Sequence, residues 1–354
     1  MSNRISKTLS EKMAVMSFVC ACLIVAIHTT SRPLDDTWQW WVVALLGKEG
    51  VCRVAVPYFF LASVFFIAGH FGEDGWYGRE LCKRIRSLVL PFFAWIIIGK
   101  VIKLTVWWGS NLIGYQCGVQ YPFEGGLGCS ILTMMGLNPC ANIGIVWYLR
   151  ALFFLVIVSP LIYNAIKNLG TLFPLAMFCC YGVYGTILYF TNEWDYFVSI
   201  RGIAYFTIGV AIRMGLFDGI VAAKRRNCVA MAILCGGGAL LLKIIFWRKG
   251  MVMIGNFCDF LMVIPLLYAI WTLCTLVRLP NICTRNSFSI YLMHSDFILI
   301  SIVGFVIAGQ RGIMESSLIA TVLRWSFAIF ASLFFAELVR RSCPRIASFL
   351  FGGR

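Results

Sequence analysis

Residues 13–30 read MAVMSFVCACLIVAIHTT, an apolar run without Asp, Glu, Lys or Arg that carries a single histidine, His28. A helix needs roughly 20 apolar residues to cross hydrocarbon about 30 Å thick, so this run is of spanning length. Three basic residues precede it, as in a secretory signal peptide, but no A-x-A-like cleavage site follows it. We therefore expect a first membrane span at residues 13–31.

Apolar runs of similar length recur along the rest of the chain. The 354 residues are 60% hydrophobic and 13% charged, whereas soluble domains average about 25% charged residues. Each run must be helical, because an open strand in hydrocarbon would leave backbone donors and acceptors unpaired. The sequence predicts an all-α, polytopic membrane helical bundle of about ten transmembrane helices in one domain, residues 1–354. The expected spans are residues 13–31, 52–70, 88–108, 145–163, 171–190, 198–216, 228–247, 254–277, 287–308 and 318–340.

Positive charge is concentrated in the short gaps between the apolar runs. The chain has 30 Lys and Arg residues against 15 Asp and Glu, a net charge of +15. Their distribution follows the positive-inside rule, which predicts cytoplasmic N and C termini in the cell inner (plasma) membrane. Anionic membrane lipid is the expected partner of the basic gaps. No arginine-rich stretch with interleaved stacking aromatics is present, so nucleic-acid binding is not expected.

The fifteen cysteines are scattered largely through the apolar runs. No pair of C-x-x-C motifs with histidine spacing occurs, so no metal is expected. Cys117, Cys129 and Cys140 share one long gap, which the orientation places outside the cell. One disulfide among these three is expected only if that compartment is oxidising.

His28 lies roughly 22 Å along the first helix from Met13, toward the outer side of the span. An ionisable group inside a span is costly and indicates function unless a neighbour satisfies it. The residue alone leaves two interpretations open. It is either a buried histidine hydrogen-bonded to a neighbour, or a general base that removes a proton from a sugar hydroxyl.

A basic cluster, Lys83, Arg84 and Arg86, precedes the apolar run that starts near residue 88. Guanidinium and ammonium groups at the start of a helix are suited to phosphates. The same charges also serve as a plain topology signal that holds lipid headgroups. Charge alone favours the topology interpretation.

Several charged residues fall in the outer halves of different spans, where snorkelling explains only those near an end. If these helices converge around His28, they form a mostly cationic cavity that favours an anionic or phosphate-bearing acceptor such as a lipid-linked sugar. The residues concerned are Arg53, Lys100, Lys103, Arg150, Arg201, Asp259 and Arg324.

Tyr291 and His294 stand three residues apart and share one helical face, whereas Asp296 points elsewhere. Tyrosine and histidine near a membrane boundary are often interfacial anchors, so the stretch is interpreted mainly as structural. Lining of the functional site is the alternative.

The order of several short motifs resembles the acyltransferase family 3 membrane proteins, which transfer acyl groups to surface polysaccharides and related glycans. Each motif is unspecific by itself, and their order along nearly the whole chain carries the resemblance. The motifs are VAIHT at 25–29, RVAVPYFFLAS at 53–63, KRIR at 83–86, LPFFAW at 90–95, VWYLRAL at 146–152, FTIGV at 206–210 and SFSIYLMH at 287–294.

The resemblance implies that His28 is the family's essential first-span histidine, and that Lys83 and Arg86 are its basic pair. It also implies an acyl-CoA donor, commonly acetyl-CoA, and shifts the basic cluster toward binding of coenzyme phosphates. Two departures are Ser17, where the family often has a basic residue, and Val64, where a glycine usually follows the serine.

The sequence therefore predicts an integral membrane O-acyltransferase that moves an acyl group, expected to be acetyl, from acyl-CoA to a glycan hydroxyl. His28 would deprotonate the hydroxyl, directly or with a transient acyl-histidine, and Tyr291 or Arg150 would stabilise the oxyanion. Candidate substrate-binding residues are Arg53, Trp147, Arg150, Arg201, Tyr291 and His294. The alternatives are a transporter or flippase of lipid-linked glycans and an inactive sensor or assembly partner.

Overall fold

The computed structural model describes most of the chain as helix. The described residues are 6–29, 38–47, 49–112, 121, 147–187, 199–217, 225–274, 276–307 and 317–353. The α-helices among them are, in order, α1 (Lys7–Thr29), α2 (Trp38–Leu46), α3 (Ala55–Ala68), α4 (Trp76–Arg84), α5 (Leu90–Leu112), α6 (Trp147–Leu169), α7 (Leu172–Ile187), α8 (Ile200–Arg213), α9 (Arg225–Arg248), α10 (Val252–Cys274), α11 (Asn281–Arg285), α12 (Ser287–Ile307), α13 (Ser317–Ser342) and α14 (Pro344–Leu350).

The all-α membrane bundle expected from the sequence is confirmed, and each of the ten predicted runs contains a helix. The number of crossings is not confirmed. Seven helical segments of the described chain are long and apolar enough to span a membrane, and two shorter apolar helices lie in α7 and α12. Helix α8 has 14 residues, or about 21 Å, which is shorter than the hydrocarbon layer.

The second span is longer than the sequence indicated. Helix α2, a 3-10 turn (Val51–Val54) and α3 form one apolar segment, Trp38–Ala68. The sequence predicted a second span at residues 52–70. The structure places Glu49 in an ion pair with Arg53 at 2.7 Å, so this charge does not end the segment.

Helix α1 is the centre of the bundle, packed against α3, α10, α12 and α13. Its backbone carbonyls accept hydrogen bonds from neighbouring helices. The Tyr58 hydroxyl donates to the Met13 carbonyl at 2.7 Å, and the Trp325 indole donates to the Cys22 carbonyl at 2.8 Å. Polar tips of large side chains thus fix the position of α1 inside an apolar environment.

A π-helical turn (Ile85–Val89) joins α4 to α5, and Pro91 accounts for it. Proline has no N–H and its ring clashes with the carbonyl four residues earlier, here that of Ser87. The N–H of Leu90 instead bonds to the carbonyl of Ile85, five residues back. The continuous helical segment is therefore Trp76–Leu112, longer than the expected span at 88–108.

The C-terminal helix α14 packs against the start of α5. The Trp95 indole donates to the Leu350 carbonyl at 3.0 Å, and the Phe351 ring stacks on Trp95. Gly352 has φ +66, and a Cβ there would lie 2.5 Å from the Ser87 carbonyl oxygen. Only glycine permits this conformation at so close an approach.

Helices α3 and α8 pack closely because glycines of α8 face large side chains of α3. A Cβ at Gly202 would lie 2.9 Å from the Phe60 ring, and a Cβ at Gly209 would lie 2.5 Å from Val64 and 2.8 Å from the Leu61 carbonyl oxygen. Small residues at membrane helix interfaces allow this approach of two backbones.

We predict that Gly209→Ala destabilises the protein by about 1–2 kcal/mol, because overpacking at α3 outweighs the gain in helix propensity. Thermal unfolding of the detergent-solubilised protein measures the effect. Gly237→Ala on α9 is the matched control, since nothing lies within 4 Å of a Cβ there. Equal unfolding temperatures for the two variants would contradict the close packing.

Candidate active site

His28 lies at the C-terminal end of α1, and its side chain is exposed. Helix α12 packs alongside α1 and brings His294 next to it, with ring centroids 5.0 Å apart and planes tilted by 42°. Two residues far apart in the sequence thus form a histidine pair.

The two rings of this histidine pair have opposite environments. His294 is fully buried at 0% exposure, and its Nδ1 lies 2.7 Å from the Tyr291 carbonyl oxygen. Its Nε2 is also buried and has no hydrogen-bond partner among the residues that the structure describes. His28 is therefore the exposed ring of the pair, and His294 is the buried ring behind it.

Aromatic side chains extend from the histidine pair toward α3 and α6. The Tyr291 ring lies 5.7 Å from that of Tyr148 and 6.4 Å from that of Phe59. The Tyr148 hydroxyl is 3.1 Å from the Ser63 hydroxyl. We call Phe59, Tyr148, Tyr291 and the histidine pair the aromatic site.

Two of the predicted substrate-binding residues adjoin this aromatic site. The Trp147 ring lies 6.4 Å from that of Phe60, which in turn lies 4.7 Å from that of Tyr148. Arg150 is partly buried three residues further along α6, on the same helical face as Trp147. Phe59 and Tyr148 were not singled out from the sequence, although both lie within the motifs quoted above.

The remaining expected cations do not all converge on His28. Arg53 belongs to a separate cluster, with Glu49 at 2.7 Å and Asp259 at 3.6 Å. Lys243, only 2% exposed, donates to Asp259 at 2.7 Å and to the Glu49 carbonyl at 2.6 Å. Arg201 adds a third positive charge beside Asp259.

We call these five residues the buried charge cluster. Its two carboxylates offset most of the positive charge, so the cluster is less cationic than the sequence suggested. Lys243 was not among the residues predicted from the sequence, although a lysine within the apolar run at 228–247 was the available signal.

Asp296 and three further charged residues of the expected cavity lie on α12, α5 and α13. Asp296 is buried against Gly99 of α5, with Lys103 as its charged neighbour. Arg324 donates to the Ala320 carbonyl of its own helix at 3.0 Å. Lys100 lies one turn from Lys103 on α5.

The basic cluster stands at the junction of α4 and the π-helical turn. Arg84 is buried and pairs with Glu80 at 3.2 Å, whereas Lys83 and Arg86 are exposed. Lys83 also lies 3.5 Å from Glu80, but it is 63% exposed, so this pair is strongly screened by solvent. Lys83 and Arg86 are accordingly the two cations accessible to a ligand.

A family model described as an acyltransferase domain matches residues 15–341, nearly the whole chain. The chain belongs to acyltransferase family 3. No curated protein and no solved structure is significantly similar to it. Together with the apolar helices, the match makes this chain a multi-pass membrane acyltransferase.

The structure shows how this acyltransferase accommodates its two departures from the family pattern. Ser17 bonds to the Met13 carbonyl at 2.7 Å and lies 3.2 Å from the Tyr58 hydroxyl, so it links α1 to α3. Val64 packs against α8 at Gly209, where a Cβ would lie 2.5 Å from the valine side chain. The cysteines at 117, 129 and 140 lie outside the described residues, as does any disulfide among them.

We predict that Lys243→Met destabilises the acyltransferase by about 3–5 kcal/mol, because it leaves Asp259 with a buried carboxylate lacking its nearest cation. The double variant Lys243→Met/Asp259→Leu should recover most of that loss, since Glu49 and Arg53 still pair. Thermal unfolding in detergent tests both. A double variant less stable than Lys243→Met would contradict the assigned pairing.

Proposed function

We propose that this acyltransferase moves an acyl group, acetyl by preference, from acyl-CoA to a hydroxyl of a cell-surface or lipid-linked glycan. It would act as a single domain in the cell inner membrane with both termini in the cytoplasm. The observation that carries the proposal is the exposed His28 beside the buried His294, in a chain matched to an acyltransferase domain.

In the proposed reaction, His28 is the general base. An imidazole nitrogen of His28 accepts the proton of the acceptor hydroxyl as the oxygen attacks the thioester carbonyl. The tetrahedral oxyanion then collapses and the carbon–sulfur bond breaks. The His28 imidazolium gives its proton to the departing thiolate. The products are the O-acyl ester and free coenzyme A.

Stabilisation of the oxyanion is assigned to donors near the aromatic site. Arg150 adjoins Trp147 on α6, and Tyr291 lies between the histidine pair and Tyr148. A preorganised donor in a site that excludes water stabilises developing charge far better than the same donor in solvent.

The donor is proposed to bind through Lys83 and Arg86. Both are exposed, Lys83 near the end of α4 and Arg86 in the π-helical turn that follows, and coenzyme A carries phosphates that match their charge. Arg84 is buried and pairs with Glu80 of the same helix, so we assign it a structural role in α4 and no contact with the donor. Helix α6 packs on the π-helical turn and carries Tyr148 of the aromatic site, so it connects the two proposed sites.

The acceptor is proposed to lie between the aromatic site and the buried charge cluster. Flat aromatic rings such as Trp147 and Phe59 can pack against the apolar face of a sugar. Arg53 and Arg201 leave the neighbouring cluster with an excess of one positive charge, which suits a phosphate-linked acceptor.

We expect His28→Ala to lower acyl transfer by about 10²- to 10⁴-fold, the usual contribution of a general base. Purified protein with radiolabelled acetyl-CoA and candidate glycolipids provides the measurement. His70→Ala is the matched control, because His70 is exposed and pairs with Glu73 away from the aromatic site. Wild-type transfer by a folded His28→Ala protein would overturn the assignment, and an inactive wild type that moves glycolipid would support a flippase.

Replacement of Lys83 and Arg86 by alanine should raise the KM for acetyl-CoA by about 10- to 100-fold at nearly constant kcat, because one or two charge-assisted bonds are lost. Steady-state kinetics at saturating acceptor measure this effect. The exposed Lys167 at the end of α6 provides a control substitution. Acetyl-dephospho-CoA, which lacks the 3′-phosphate, tests whether this phosphate contacts the two cations. With this donor, the KM values of wild type and double variant should differ less than with acetyl-CoA. An unchanged KM in the double variant would place the donor elsewhere.

A further inference from the structure

His294 has a fixed orientation within the bundle. Its Nδ1 lies 2.7 Å from the Tyr291 carbonyl oxygen, which can only accept a hydrogen bond, so Nδ1 carries the proton. A charged imidazolium at 0% exposure is costly without a paired anion, which favours the neutral ring. The proton therefore sits on Nδ1, and Nε2 presents a lone pair.

No donor to the lone pair on Nε2 is present in the described part of the chain. Nε2 is buried and without a hydrogen-bond partner, and a buried acceptor left unsatisfied costs free energy. In an imidazole, Nε2 stands across the ring from Nδ1, so it points away from the α12 backbone that Nδ1 contacts. The His28 ring lies 5.0 Å away, centroid to centroid, on the neighbouring helix.

We propose that His294 is a positioning residue whose Nε2 accepts an N–H from His28. A rotation of the exposed His28 ring brings its N–H to Nε2, while the buried ring stays in place. The opposite nitrogen of His28 is then held unprotonated, so that it can take the proton of the acceptor hydroxyl. When His28 becomes an imidazolium, the same bond becomes charge-assisted and stronger.

This inference rests on the proposed role of His28 as general base and deepens it. The arrangement parallels a general requirement of histidine bases, in which a partner on one ring nitrogen decides which tautomer the other nitrogen presents. Here the partner is a second histidine whose own tautomer is set by a backbone carbonyl.

Two variants of His294 test the proposal by kinetics. His294→Phe keeps a ring of similar size and removes Nε2, so kcat should fall by about 10- to 100-fold with both KM values nearly unchanged. His294→Gln places an amide oxygen near the position of Nε2, so it should restore activity to within about 10-fold of wild type. An equal loss of kcat in both variants, with an equal loss of thermal stability, would indicate a packing role and overturn the proposal.

A spectroscopic measurement separates positioning from packing. The chain has three histidines, so protein labelled with ¹⁵N-histidine gives few imidazole signals, and His70→Ala assigns one of them. In wild type we expect His294 to be protonated at Nδ1 alone and His28 to occupy one tautomer. In His294→Phe, His28 should show both tautomers. An unchanged His28 spectrum in this variant would overturn the proposal.

The outcomes distinguish this inference from the function on which it rests. If His28→Ala abolishes transfer while His294→Phe is fully active, the base remains and the positioning role is lost. If His28→Ala is fully active, the base assignment is lost, whatever the tautomer spectra show.

Discussion

Lys243 and Asp259 form an ion pair inside an apolar bundle, joined by Glu49 and Arg53, and the arrangement of four segments depends on this cluster. A charge within an apolar interior is costly unless a partner of opposite sign lies in contact. Helices α9 and α10 and the turn between α2 and α3 must therefore meet where these side chains meet. Arg201 brings α8 to the same place, and the glycines of α8 then allow α3 to pack closely against it.

The aromatic site follows from that arrangement, because α3 is shared. One part of α3 carries Phe59 and Ser63 toward Tyr148 of α6, while the turn before it carries Arg53 into the charge cluster. Helix α1 packs on the same helix and presents His28 beside α12. The buried charge cluster thus holds α3 in place, and α3 supports the aromatic site, where His28 is exposed and its neighbour His294 is buried.

The sequence predicted the helical class and the ten apolar runs because spanning length and hydropathy are local properties. It did not predict that α2 continues into the second span, because pairing of Glu49 with Arg53 is needed to keep that charge inside. Lys243 was not predicted as a site residue, because its partners Asp259 and Glu49 lie on other segments. His28 was identified from its place in an apolar run, whereas its contact with His294 depends on the packing of α1 on α12, which no local pattern specifies.

The position of Lys243 and Asp259 on consecutive helices also bears on how the chain enters a membrane. Helix α9 ends at Arg248 and α10 begins at Val252, so the two helices form a tight hairpin. A lone lysine or aspartate adds to the cost of insertion by the translocon, up to roughly 2.5–3.5 kcal/mol at the centre of a helix. Since both charges lie in one hairpin and meet at 2.7 Å, insertion of α9 and α10 as a unit would neutralise them within the hairpin itself.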